Sequence, residues 1–149
     1  MPTDDPGATM ARASIDTTLA KIPLFKECTK KELQAVSRLV TPIQVKAGKV
    51  LTKEGDAGRE FMIIASGTAS VRRKGRKIAT LGSGDFFGEL ALLAGVPRTA
   101  TVIAETDMVV EALNRAEFAT LLDESPSIAR KVLSAVAKRS YDNEPRSLH

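Results

Sequence analysis

The hydrophobic rhythm of the chain changes twice between Thr29 and Tyr141. Leu33, Val36 and Leu39–Val40 recur at helical spacing, and Thr29 stands three residues ahead of Glu32. That spacing predicts a capping box that opens an amphipathic helix over 30–40. From Thr41 the texture turns β-like. Short runs at Ile43–Val45, Val50–Thr52, Phe61–Ala65, Ala69–Arg73, Lys77–Leu81, Ala100–Ala104 and Met108–Leu113 alternate with turn residues such as Gly55-Asp56, Ser66-Gly67 and Lys74-Gly75. Turn signals at intervals of roughly 8–12 residues predict an all-β sandwich or jelly roll. Helical spacing returns over 115–141. Asn114 is placed to cap a helix over 115–122, and Ser125-Pro126 to open another, with Pro at its favoured first position. The order is helix, about eight strands, then helices. Residues 1–14 have no periodicity and read as a mobile tail, and 15–27 carry a short helical pattern interrupted by Pro23. We take 15–141 as the domain and 142–149 as a C-terminal tail.

Composition narrows the chemistry. The 149 residues are 43% apolar and 27% charged, with a formal net charge of +4. These values suit a soluble domain and are too mild to argue for nucleic acid without a basic face. Cys28 is the only cysteine and His149, the last residue, the only histidine. An internal disulfide, an iron–sulfur cluster, a cysteine-based zinc site, histidine-ligated haem and a Ser-His-Asp triad are thereby set aside, and no metal or cofactor is expected. No apolar run approaches the ~18 residues of a membrane span, and no basic-then-apolar leader opens the chain, so a cytoplasmic location is expected.

The informative stretch is Gly84–Val102, GDFFGELALLAGVPRTATV. Gly88 precedes the helix-favouring segment Glu89–Leu93, and Gly95 follows it. A short helix interrupting a sheet presents backbone N–H groups to an anion, and a leading glycine lets that anion approach. Arg98 follows Pro97 with a planar fork that matches phosphate oxygens. A carboxylate as close as Glu89 would repel a phosphate unless it faces another part of the ligand, such as a sugar hydroxyl. Each residue alone has a plainer reading: Glu89 as a helix-start carboxylate, Arg98 as a solvated loop charge. Phe86-Phe87 read as core anchors, and Gly55-Asp56 as a structural turn.

Gly84–Val102 closely resembles the phosphate-binding cassette of the cyclic nucleotide-binding domain, the sensor of catabolite activator protein and of protein kinase A regulatory subunits. Gly55-Asp56 with Glu60–Ile64 and Ser66-Gly67 matches a second element of that family. The resemblance covers about 22–141. It implies an eight-stranded jelly-roll β-barrel with an N-terminal helical segment and two C-terminal helices. It implies that Arg98 pairs with a cyclic phosphate and that Glu89 accepts from the ribose 2′-hydroxyl. Backbone N–H groups of Gly88, Leu90 and Ala91 would line the phosphate and ribose, with Ala100 nearby. Thr99 would reach the phosphate, or a guanine amino group. Val71 would wall the base, and Leu122 would be the hydrophobic hinge residue that moves when phosphate binds.

The function expected from this resemblance is a regulatory cyclic nucleotide sensor, cyclic AMP ahead of cyclic GMP, that does not turn its ligand over. After Tyr141 no helix-turn-helix, kinase or channel module is legible, so output is expected through a separate protein partner or a homodimer rather than through DNA. Two rival readings remain: a barrel that serves as an interaction module without ligand, and a nucleic-acid binder using Arg72–Lys77, a run with five basic residues in six positions. A solvated hairpin tip is the plainer account of that run. Cys28 reads as a packed or surface thiol.

Overall fold

The computed structural model describes residues 25–89, 92, 95 and 97–142. The tail expected at 1–14, most of the 15–27 helical pattern and all but the first residue of the 142–149 tail lie outside them. Helix α1 spans Lys30–Leu39. Its capping box is formed: the Glu32 N–H donates to Thr29 Oγ1 at 3.1 Å, and the Thr29 N–H donates to Glu32 Oε1 at 2.9 Å. Val36 and Ala35 are the buried face of this helix, and Val40 leaves it in extended geometry.

Eight strands follow: β1 Thr41–Val45, β2 Val50–Thr52, β3 Glu60–Ser66, β4 Ala69–Arg73, β5 Arg76–Leu81, β6 Phe86–Phe87, β7 Thr101–Ala104 and β8 Met108–Asn114. They form two four-stranded antiparallel sheets, ordered β1-β8-β3-β6 and β2-β7-β4-β5. The mainly-β jelly-roll class is as expected, but among the described residues the two sheets do not join into one closed barrel. Most runs are one or two residues longer or shorter than the sequence pattern indicates. Phe86-Phe87 pairs with Ile63 and Met62, which makes this pair of core aromatics a strand as well.

The chain then returns to helix in α2, Arg115–Glu124, and α3, Pro126–Asp142. Asn114 caps α2 in a second reciprocal box, with its Oδ1 accepting the Glu117 N–H and Glu117 Oε1 accepting its own, both at 2.8 Å.

Strand β3 explains the two-layer core. Its side chains alternate between faces. Phe61 and Ile63 pack with Val36, Leu113, Phe118, Leu121, Ile128 and Val132 beneath the helices. Met62 and Ile64 pack with Val45, Phe87, Val102 and Val110 between the sheets. Both faces are covered, so the strand reads as a continuous apolar run. Phe61 stacks on Phe118 with centroids 4.5 Å apart and tilts against Phe86 at 5.4 Å. Each such side chain stabilises the fold by about 1.5–3 kcal/mol. This layer fixes β3 beneath the helices and so fixes Glu60, the first residue of the strand, on which the site is built.

Candidate functional site

Arg98 is held at its backbone before its side chain is considered. The Gly55 N–H donates to the Arg98 carbonyl at 2.9 Å, and the Arg98 N–H donates to the Asp56 carbonyl at 2.8 Å. Gly55 has a φ of +89°, a conformation that needs glycine. The Gly55-Asp56 turn is therefore structural, as its sequence suggests, and its structure is the clamp on Arg98.

The guanidinium turns inward. Nη2 donates to the Glu60 carbonyl oxygen at 2.8 Å. Nη1 is buried, and among the described residues it has no hydrogen-bond partner. Burial pulls the Arg98 pKa below its ordinary value, while the carboxylates of Glu60 and Glu89 act in the opposite direction. Arginine titrates so high that the group stays cationic at neutral pH. Gly88, with φ +99°, lies directly against it: a Cβ there would come 2.6 Å from Nη1 and 2.5 Å from the Glu60 carbonyl oxygen. Glu89 follows, 2% exposed and engaged within the fold. Leu92 is buried in the helix-side core and anchors the segment.

The structure thus brings Gly88, Glu89 and Arg98 together. Ala100 is buried, and its carbonyl accepts Thr52 Oγ1 at 3.2 Å. Thr99 is exposed, and its carbonyl accepts Nε of Arg73 at 3.0 Å. Val71 lies on the inter-sheet face of β4, paired with Val102 and Ala79. Leu122 is half-buried at the margin of the helix-side cluster. Leu90 and Ala91 lie outside the described residues. A cavity of about 340 Å³ opens beside Arg98, lined among others by Leu51, Thr52, Lys53, Asp56 and Met62. Three contributors escaped the sequence reading: the carbonyls of Glu60 and Asp56, and the Arg73 side chain. Backbone acceptors carry no side-chain signal, and Arg73 sits in a run that reads as a solvated tip.

The model of the cyclic nucleotide-binding domain matches residues 42–125. This chain belongs to the cyclic nucleotide-binding domain family. It is 34% identical over 121 residues to a cyclic nucleotide-gated potassium channel of Rhizobium etli, which covers 81% of this chain and 34% of that one. It is 36% identical over 118 residues to a cAMP-dependent protein kinase regulatory subunit of Yarrowia lipolytica, covering 78% and 32%. The regulatory domain of Toxoplasma gondii PKA, crystallised with cAMP, superposes with a TM-score of 0.75 at 25% identity, covering 91% of this chain and 52% of that one. The chain spans about a third of the length of the curated relatives it matches.

Proposed function

We propose that this cyclic nucleotide-binding domain takes cyclic AMP in preference to cyclic GMP and acts as a regulatory sensor that leaves its ligand intact. The observation that carries the reading is the buried Arg98 Nη1, cationic and without a hydrogen-bond partner among the described residues, set against Gly88. An unsatisfied buried donor costs about 1–3 kcal/mol, more when charged. A phosphate oxygen at that point would satisfy it, and only a residue without a Cβ leaves room for one. Glu89 would accept from the ribose hydroxyl. The N–H groups of Gly88, Leu90, Ala91 and Ala100 would add to the oxyanion and ribose contacts, with the Thr99 hydroxyl beside them and Val71 against the base.

The choice of cyclic AMP is supported by the likeness to the cAMP-dependent protein kinase regulatory subunit of Yarrowia lipolytica and to the Toxoplasma gondii domain crystallised with cAMP. The reading without turnover rests on chemistry. Arg98 and Glu89 suit charge pairing and hydrogen bonding, and among the described residues no nucleophile or base converges with them. Ligand capture then acts as a population shift: phosphate binding biases the cassette, and Leu122 on α2 carries the bias to the C-terminal helices. The receiver is a separate cytoplasmic protein or a second copy of the chain.

Calorimetric titration of the purified chain with both nucleotides tests the reading. Cyclic AMP is expected to bind more tightly, and Arg98→Ala to weaken it by at least about tenfold with the fold intact, since losing one partner of such a pair costs about 2–5 kcal/mol. Binding of neither nucleotide would leave the interaction-module reading in its place. Tighter binding of cyclic GMP would overturn the preference.

A further inference from the structure

The β4–β5 hairpin carries an arrangement that its own stability does not explain. Lys74 and Gly75, with φ of 53° and 79°, form the tight turn. Behind the turn, Arg72 sits directly across from Lys77, and Arg73 across from Arg76. Like charges placed opposite each other in a sheet are destabilising, and this hairpin does so on two consecutive rungs. Only part of the repulsion is relieved locally. Lys77 Nζ reaches Glu105 Oε2 at 2.7 Å, and Arg73 Nε reaches the Thr99 carbonyl. Among the described residues no carboxylate forms an ion pair with Arg72, Lys74 or Arg76.

The same element is a sheet edge. Strand β5 closes the order β2-β7-β4-β5 with β4 on one side only. Arg76 through Thr80 are all exposed, and Ile78 leaves half of its surface to solvent. An exposed edge offers unpaired backbone groups to an incoming strand. The hairpin is also pinned. Arg73 is bonded to Thr99, and the Lys74 N–H donates to Glu54 Oε1 at 2.9 Å, so the cations are presented by a fixed surface rather than a swinging tip.

We propose that the outer edge of β5 and the basic turn beside it form a docking site for an extended acidic segment of a partner protein. Its backbone adds to β5, and its carboxylates neutralise Arg72, Lys74 and Arg76. The dimensions favour polypeptide over nucleic acid. The basic surface is one hairpin wide and is bordered by the acidic Glu54 and Glu105, whereas a phosphate backbone gains from a longer cationic track. No aromatic residue lies in Ala69–Leu81 to stack a base. A probe of alternating Glu and Val supplies the carboxylates with a strand-favouring residue between them.

The test is fluorescence anisotropy of a labelled synthetic peptide of alternating Glu and Val, titrated with the full chain at fixed salt. Three comparisons accompany it: the same peptide with Gln for Glu, the same peptide with alternate amides N-methylated, and a labelled DNA duplex. The acidic peptide is expected to bind, and the Gln and N-methylated peptides about tenfold more weakly. The Arg72→Thr/Arg76→Thr double variant is expected to lose about the same factor, and to melt no lower than the parent because like-charge repulsion is removed. The proposal is overturned by absence of binding, by equal binding of the N-methylated peptide or of the double variant, or by a duplex that binds more tightly than the acidic peptide. A clear drop in the double variant's melting temperature would likewise sink it, since those charges would then be supporting the hairpin.

Discussion

Gly88 and Arg98 occupy mutually exclusive space: the site where any other residue would carry its Cβ lies 2.6 Å from the guanidinium Nη1. The obstacle is double, because the rigid Glu60 carbonyl oxygen lies 2.5 Å from the same point and Gly88 has a φ of +99°. Gly88→Ala is therefore expected to lose about 1–3 kcal/mol of stability from strained backbone. It is also expected to push the guanidinium off its place, weakening cyclic AMP by about tenfold or more. A melting curve and a calorimetric titration on the same sample check both. Unchanged affinity in a folded Gly88→Ala protein would separate Arg98 from ligand capture.

Arg98→Lys asks whether charge alone suffices. Lysine keeps the cation but lacks the planar fork that serves two acceptors in fixed directions. In this structure one arm of the fork is already committed to the Glu60 carbonyl at 2.8 Å. An ammonium has three donors but only one nitrogen, so it cannot reproduce the separated positions from which Nη2 holds that carbonyl and Nη1 would meet a phosphate oxygen. We expect roughly a tenfold to hundredfold loss of cyclic AMP affinity, and only a small change in melting temperature. Near-parental affinity would mean that Arg98 works as a point charge.

Where side chains announced themselves, the sequence could be read. The Thr29–Glu32 box is a spacing of two polar residues ahead of a helical stripe, and it is present as drawn. Gly88, Glu89 and Arg98 could be singled out because they fall at the intervals of the family's phosphate-binding cassette. Strand β6 escaped because two residues are too few to show a period. The register of the sheets escaped because it is set by partners far apart in sequence. β1 pairs with β8, and β2 with β7. The clamp on Arg98 is made of main-chain groups of Gly55 and Asp56: the glycine marks the turn, but nothing in the side chains tells which distant backbone those groups hold. Glu32 shows the same limit. Its box was legible, but its second oxygen is taken by Ser125, 93 residues away.

That second bond gives a stability prediction. The Ser125 hydroxyl donates to Glu32 Oε2 at 2.6 Å in a buried setting, and Ser125 Oγ itself accepts the Ile128 N–H at 3.3 Å. One carboxylate thus joins the cap of α1 to the start of α3. The Ser125 hydrogen bond is the main cause that holds the Glu32 carboxyl below the usual carboxylate range. A depressed folded-state pKa adds stability that is present above the unfolded pKa and lost as pH falls through the folded one. Ser125→Ala is expected to cost about 1–3 kcal/mol near neutral pH. Its deficit against the parent should shrink in acid, where Glu32 is protonated in both proteins. Melting temperatures across pH measure this, and a deficit independent of pH would remove Glu32 from the explanation.

Glu111 has the opposite sign. It lies in β8 between Pro42 and Ile63 of the neighbouring strands, and alternation puts it on the face of Leu113, toward the helices. It is 2% exposed, and its Oε1 has no hydrogen-bond partner among the described residues. Burial pushes its pKa up from the ordinary 4.5 to about 7. The folded protein then holds this proton more readily than the unfolded chain. Its contribution is most favourable below pH 4.5, declines as pH rises toward 7, and is flat beyond. Glu111→Gln removes the titration while keeping the shape. The variant should match the parent near pH 4 and exceed it at pH 8 by about 1–3 kcal/mol, some 2–10 °C in melting temperature. Thermal melts of both proteins at those two pH values decide it. Parallel curves would mean that Glu111 is solvated or partnered when charged, and a variant less stable than the parent at pH 8 would mean that the carboxylate holds a favourable contact there.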